Sequence, residues 1–284
     1  MNPPPATSAA HGALPDATAS AAVARCGAHI VLEALAKVYE TRSGDMVAAL
    51  SPTTLDIAPG QFVAIVGPSG CGKSTLLSLV AGLQPPTQGR VAIDGSEVRK
   101  PHPKAGIVFQ SDLLLYWRSV LDNVLLPVEV KGWNRDAHRE RALGLLQQVG
   151  LDGFAAKYPG ELSGGMRQRV AICRALIQDP ELLLMDEPFG ALDALTREQM
   201  IIDLQAMWHA VGNTVVFITH SIDEAVFLAD RVLVMSPRPG RIERDMPIAL
   251  ERPRRWAVHQ SAAFQQHVAE IRAVFEADGV LAER

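Results

Sequence analysis

Residues Gly67 to Thr75 read GPSGCGKST and satisfy the pattern G-x-x-x-x-G-K-[ST] at every position. The run Phe62–Val66 before them is apolar and β-type, and Leu76, Leu77, Leu79 and Val80 after them fall at helical spacing. A strand that passes through a glycine-rich turn into a helix has few ways to fold. Gly67, Gly70 and Gly72 let the backbone curl so that successive N–H groups face inward as an anion nest, while Pro68, Ser69 and Cys71 fill the variable positions. The helix beginning near Lys73 adds its positive end at the same point. Lys73 offers a point charge to the β- and γ-phosphates of a nucleotide, the Ser74 hydroxyl suits Mg²⁺, and Thr75 closes the motif. These residues are expected to hold a nucleotide.

The rest of the 284-residue chain has room for one large domain or two small ones. A formal charge of −4 supplies no basic excess for nucleic acid, and no run reaches the roughly 18 apolar residues of a membrane-spanning helix. Cys26, Cys71 and Cys173 are odd in number and far apart, which excludes a disulfide framework and suits a reducing compartment. Residues 1–27 are rich in Ala, Pro, Ser and Thr and are expected to be a disordered tail; without a basic start or an apolar stretch they do not read as a signal peptide. Strands are expected at Ile30–Tyr39, Met46–Ile57, Phe62–Val66, Gly89–Gly95, Gly106–Gln110, Leu182–Met185, Thr214–Thr219 and Arg231–Met235. Helical patterns occupy Val120 to about Gly150, the stretch after Ser163, Leu195–Trp208 and the residues from Ser221. Strands alternating with helices predict an α/β fold, a mostly parallel sheet covered on both faces.

Two further strings carry chemistry. In LLLMDEP, Leu182 to Pro188, a buried strand delivers Asp186 toward a Mg²⁺ water shell and Glu187 toward the water that attacks phosphorus. In LSGGMRQ, Leu162 to Gln168, Ser163 reads as a helix N-cap, and Gly164 and Gly165 allow close approach of a ligand. One nucleotide has a single γ-phosphate, already cradled by Lys73. A second anion-binding helix on the same chain therefore suggests action on the nucleotide of another copy.

With these strings on the page, the chain resembles the ATPase subunits of ATP-binding cassette (ABC) transporters, over roughly Ile30 to Asp245 and with the family's motifs in order. The resemblance implies a P-loop NTPase core of mostly parallel sheet with an antiparallel β subdomain and an inserted helical subdomain at about 111–178. It implies that Tyr39 stacks on adenine, that Gly67 to Thr75 is Walker A, and that Gln110 reaches Mg²⁺ and the attacking water. Ser163, Gly164 and Gly165 match the signature that closes on the partner's ATP. Asp186 and Glu187 match Walker B and the catalytic carboxylate, Asp193 the D-loop, and His220 the switch histidine. Met166 departs from the commoner Gln. LSGGM and MSPRPGRI, Met235 to Ile242, resemble the nitrate/sulfonate/taurine importers, although Tyr116–Trp117 stands where those commonly read Pro-Trp.

The resemblance thus implies a homodimer that uses ATP and Mg²⁺ on the cytoplasmic face of a membrane. Its partners would be integral permease subunits and, indirectly, an extracytoplasmic solute-binding protein, with no nucleic acid involved. A small-molecule kinase shares the phosphate loop but has no use for LSGGM. A non-transport cassette usually carries a coiled-coil insertion or a second cassette, and a cassette that binds without hydrolysing would not need Glu187 and His220. Leu113, Leu114, Leu115, Tyr116 and Trp117 form an apolar run in a loop, expected to dock a permease helix. Residues 247–284 are expected to form an extension. Its apolar stripe of Phe264, Val268, Ile271 and Phe275 suits a helix docked on its own cassette.

Overall fold

A computed structural model of the protein describes residues 27–190 and 192–280; most of the segment expected to be a disordered tail lies outside them. Two sheets form. Strands β1 (Ile30–Glu40), β2 (Met46–Ile57), β4 (Gln88–Ile93) and β5 (Ser96–Glu97) make an antiparallel sheet in the order β2-β1-β4-β5. The six-stranded sheet runs β10-β9-β3-β8-β7-β6, built from β3 (Phe62–Val66), β6 (Ala105–Val108), β7 (Leu182–Asp186), β8 (Thr214–Ile218), β9 (Arg231–Met235) and β10 (Ile242–Pro247). All its pairings are parallel except β10 on β9. Strand β10 is absent from the sequence expectations. Its residues are mostly half-exposed or exposed and it ends on Pro247, as an edge strand permits.

The parallel strands are buried on both sides, and alternate residues feed two different cores. Phe62, Ala64 and Val66 of β3 face the larger core together with Leu183, Met185, Val215 and Phe217. Val63 and Ile65 face the smaller one with Leu182, Leu184, Val216 and Ile218. The smaller core is closed by α1 (Lys73–Val80) and the antiparallel sheet. Covering the larger core are α2 (Val120–Val124), α3 (Leu126–Val130), α4 (Arg135–Gln148), α5 (Gly164–Leu176), α6 (Ala194–Val211), α7 (Ile222–Leu228) and α8 (Ala262–Ala277). Helices α2 to α5 lie between β6 and β7 in sequence, within the stretch expected for the helical subdomain. Helix α8 packs against α7, with Phe264, Ile271 and Phe275 in the larger core and Val268 against its edge.

Helix starts follow local chemistry. The side chains of Ser119, Asn134, Ser163, Asp193, Ser221 and Ser261 each accept a backbone N–H from the first turn of the helix they precede. Helices α1 and α3 differ: their cap positions, Gly72 and Leu125, provide no side-chain cap.

Candidate functional site

The groups expected to act on a nucleotide arrive at the carboxyl ends of neighbouring parallel strands, where α/β sheets bind ligands. The phosphate loop leaves β3, Gln110 lies two residues past β6, Glu187 follows β7, and His220 lies two residues past β8. Bonds between strand ends hold them in register: Glu187 N–H donates to Ile218 O at 2.9 Å, and Thr219 N–H to Ile65 O at 3.2 Å. A cleft of about 390 Å³ opens above, lined by Tyr39, Val47, Ala49, Ser69, Gly70, Gly72, Lys73, Ser74, Thr75, Gln110, Glu187 and Arg238.

Gly72 is the position at which the loop admits nothing larger. Its φ is +112°, and a Cβ there would sit 2.6 Å from Ala49 O. Lys73 Nζ donates to Gly67 O at 2.8 Å and Pro68 O at 3.0 Å, so the loop's own carbonyls hold the cation. Gly67, Pro68 and Cys71 do not line the cleft. The Cys71 side chain turns away into the smaller core, where burial pushes its thiol up. The Tyr39 ring forms one wall, its hydroxyl donating to Gln84 Oε1 at 2.7 Å and Lys37 Nζ lying 5.1 Å from its centre.

Three side chains converge beside the phosphate loop: Gln110 and Glu187 line the cleft, and His220, which does not line it, meets them at Glu187. Gln110 Nε2 donates to Glu187 Oε2 at 3.1 Å, and His220 Nδ1 lies 3.5 Å from the same oxygen. Glu187 adopts φ +46°, a left-handed conformation costing a non-glycine residue roughly 1–2 kcal/mol. Its N–H bond to Ile218 O and the Gly190 N–H donated to its own carbonyl hold it there. Strain that turns a carboxylate toward two polar groups in a cleft is the kind found at functional sites.

Asp186 lies behind this layer. Burial raises its carboxyl above the usual range; the Ser74 hydroxyl bonded to it opposes the rise, neighbouring Glu187 adds to it and Lys73 offsets part. The Ser74 hydroxyl and Gln110 on the cleft wall, with the Asp186 carboxyl behind them, are hard oxygen donors that fit Mg²⁺. Among the described residues no group of three or more His, Cys, Asp or Glu could hold a metal ion.

Ser163, Gly164, Gly165 and Asp193 do not line the cleft. Ser163 Oγ accepts from Met166 N–H at 3.3 Å, and a Cβ on Gly165 would lie 2.9 Å from Leu192 Cδ2, so this glycine lets the Asp193 loop pack on the signature helix. Two contributions were not anticipated from sequence. Arg238 donates from Nε and Nη2 to Gly70 O at 3.1 and 2.9 Å, bracing the phosphate loop; its place in the MSPRPGRI string was its one signal. Helix α5 is tied to the stretch after β6: Arg167 Nε to Asp112 Oδ2 at 2.8 Å, Gln168 Nε2 to Phe109 O at 3.2 Å, and Arg174 to Leu113 O and Asp112 O at 2.7 Å each. Those are contacts across the fold, and no local pattern announces them.

Fold and site define a phosphate-loop nucleotide-binding cassette. Comparison with known proteins narrows this. The ABC transporter family model matches residues 50–190. The taurine import ATP-binding protein TauB of Rhizobium johnstonii is 54% identical over 204 residues, 72% of this chain and 78% of that one. The uncharacterized ABC transporter ATP-binding protein MJ0412 of Methanocaldococcus jannaschii is 49% identical over 223 residues, 78% of this chain and 83% of that one. Among solved structures, the dimeric ATP-binding cassette MJ0796, in a post-hydrolysis state with ADP and Pi, superposes with a TM-score of 0.71 at 35% identity, covering 78% of this chain and 100% of that one. The chain belongs to the ABC transporter family of ATPases.

Proposed function

We propose that the protein is the ATP-hydrolysing subunit of an importer of small solutes of the nitrate, sulfonate or taurine kind, working as a homodimer on the cytoplasmic face beneath separate permease subunits. Among the described residues no helix is long and apolar enough to cross a membrane, so a transport role calls for separate membrane subunits. Relatives named as taurine import ATP-binding proteins support the class of cargo, and a solute-binding protein would reach this chain through the permease. Their half-identity to this chain leaves the kinase and non-transport readings without comparable support.

The observation that carries the reading is the convergence of Gln110 and His220 on Glu187 Oε2 beside the phosphate loop. The Tyr39 ring holds the base, and the uncapped start of α1 with Lys73 holds the phosphates. Glu187 accepts a proton from the attacking water while Gln110 and His220 fix its orientation. Ser74 and Asp186, with Gln110, would hold Mg²⁺, which when bound neutralises charge on the phosphates. Ser163, Gly164, Gly165 and Asp193 serve the partner's nucleotide, which accounts for their distance from this chain's own cleft.

Glu187→Gln tests the assignment, since the amide keeps the shape but takes up no proton. The variant is expected to bind ATP, to dimerise with ATP on size-exclusion chromatography and to lose turnover. Hydrolysis near the wild-type rate would overturn the role of Glu187.

A further inference from the structure

Beyond the catalytic groups themselves, the loop carrying His220 is tied to the loop carrying Asp193 by a chain of polar contacts through Thr219, Glu224 and Arg197. The His220 side chain is 59% exposed, so packing does not fix it. What fixes it is the turn on either side. Thr219, immediately before it, is 2% exposed. Its hydroxyl accepts the N–H of Ser221 at 3.0 Å and donates to Glu224 Oε2 at 2.5 Å. Glu224 is 8% exposed, and its carboxylate is not needed to start α7, because Ser221 Oγ already caps that helix. Instead it points inward, where its second oxygen, Oε1, lies 3.9 Å from Arg197 Nε. That Nε is buried and has no hydrogen-bond partner among the described residues. The other end of the same guanidinium donates from Nη2 to Leu192 O at 3.0 Å, next to Asp193, whose carboxylate caps α6.

Burial pushes the Glu224 carboxyl up, while the Thr219 hydroxyl and the Arg197 and His220 charges oppose the rise. An ionised Glu224 in so enclosed a place is retained only if its partners compensate for lost water. One oxygen accepts from Thr219 in the His220 turn, and the other faces Arg197 in the first turn of α6, whose Nη2 reaches back to Leu192 O beside Asp193.

We infer that Thr219, Glu224 and Arg197 are positioning residues that set the backbone turn of His220 and link it to the Asp193 loop, so that hydrolysis in one chain responds to the loop that would face the partner. This rests on the assignment of His220 above. Loss of the Thr219 hydroxyl frees the turn, and loss of the Arg197 guanidinium leaves Glu224 uncompensated and the Leu192 carbonyl unheld. Each change should misplace His220 without touching the nucleotide-binding wall.

The test is steady-state ATP hydrolysis by the full chain, with nucleotide affinity measured separately and folding checked by circular dichroism. Thr219→Val and Arg197→Ala are expected to lower kcat about tenfold or more with KM and nucleotide affinity changed by less than about twofold, and Thr219→Ser to restore the rate. In a His220→Ala background, Thr219→Val should lower the residual rate by less than about twofold, because the two act through one group. Wild-type kcat in a folded Thr219→Val or Arg197→Ala variant overturns the proposal, as does a full tenfold loss on top of His220→Ala. If Thr219→Val does not fold, Arg197→Ala decides, its side chain being one-third exposed and outside the packed core. Wild-type turnover in His220→Ala alone would instead remove the catalytic reading beneath, a result distinct from failure of the linkage.

Discussion

Asp186 shows how a single residue trades stability for chemistry. Burial raises its carboxyl above the ordinary value, so the folded protein binds a proton there more readily than the unfolded chain does. The sign follows. Below the unfolded value both states are protonated and the charge costs nothing. As pH rises through the higher folded value, the folded state must carry a desolvated charge and loses stability. Asp186→Asn is therefore expected to raise the melting temperature of the nucleotide-free protein at pH 7 by about 2 °C. The gain should fade as pH falls toward about 4, and the variant should lose Mg²⁺-supported hydrolysis. A melting temperature at pH 7 equal to or below the wild type would contradict the burial account. Lys73 is the opposite case: its charge rests on the carbonyls of Gly67 and Pro68, so the cation is satisfied before a phosphate arrives.

At the level of elements, the carboxyl-terminal extension has joined the core. Phe264 is fully buried, in tilted ring contact with His259, which in turn stacks on Phe227 of α7. Arg254, 3% exposed, donates from Nη1 to Val226 O, Phe227 O and Ala229 O at 2.8 Å each, satisfying carbonyls that α7 leaves open at its end. Burial lowers this guanidinium to about 9, with Arg252 adding to the fall and Asp230 opposing it. Docking α8 thus stabilises the helix that begins just after His220. Phe264→Ala should cost about 3–5 kcal/mol of unfolding free energy, the usual result of emptying an aromatic site in a packed core. Denaturant unfolding followed by circular dichroism measures this. A loss below about 1 kcal/mol would mean that α8 is not part of the folding unit.

On the scale of the whole molecule, two surfaces look outward. One bears Ser163, Gly164, Gly165 and Asp193. Ser163→Arg should stop hydrolysis yet leave ATP binding by the monomer intact, because the signature helix lies away from its own cleft. Mixed with Lys73→Ala, it should form a heterodimer with one complete site, an intact phosphate loop facing an intact signature. Nucleotide trapping at neither site of that heterodimer would count against action in trans. The other surface is the loop after Gln110. Leu114 is buried and anchors it, while Leu113, Tyr116 and Trp117 are 54%, 56% and 75% exposed. Bonds from Arg167 and Arg174 join this loop to the signature helix, so a partner seated on it would sense the position of α5. Trp117→Ala should leave the melting curve unchanged and weaken permease capture by about 2 kcal/mol, read from a pull-down with the cognate permease. Normal capture would remove the anchor of this docking surface.

The sequence by itself determined the elements whose cause is local. The apolar run Phe62–Val66, the glycines of GPSGCGKST and the cap at Ser163 declare a strand, a phosphate loop and a helix start because each depends on neighbours within a few residues. The parallel sheet followed from alternation of strands and helices. What only the tertiary structure decided are relations between distant segments. Strand β10 is edge backbone held by β9, with too little burial to leave an alternating signature. Arg238 reaches Gly70, and Gln110 and His220 meet on Glu187, because the sheet order β9-β3-β8-β7-β6 brings those strand ends side by side. The same holds for Arg197, Glu224 and Thr219, whose residue types are ordinary at helix starts and strand ends. Their meaning arises from burial, and burial is a property of the packed chain rather than of any stretch of it.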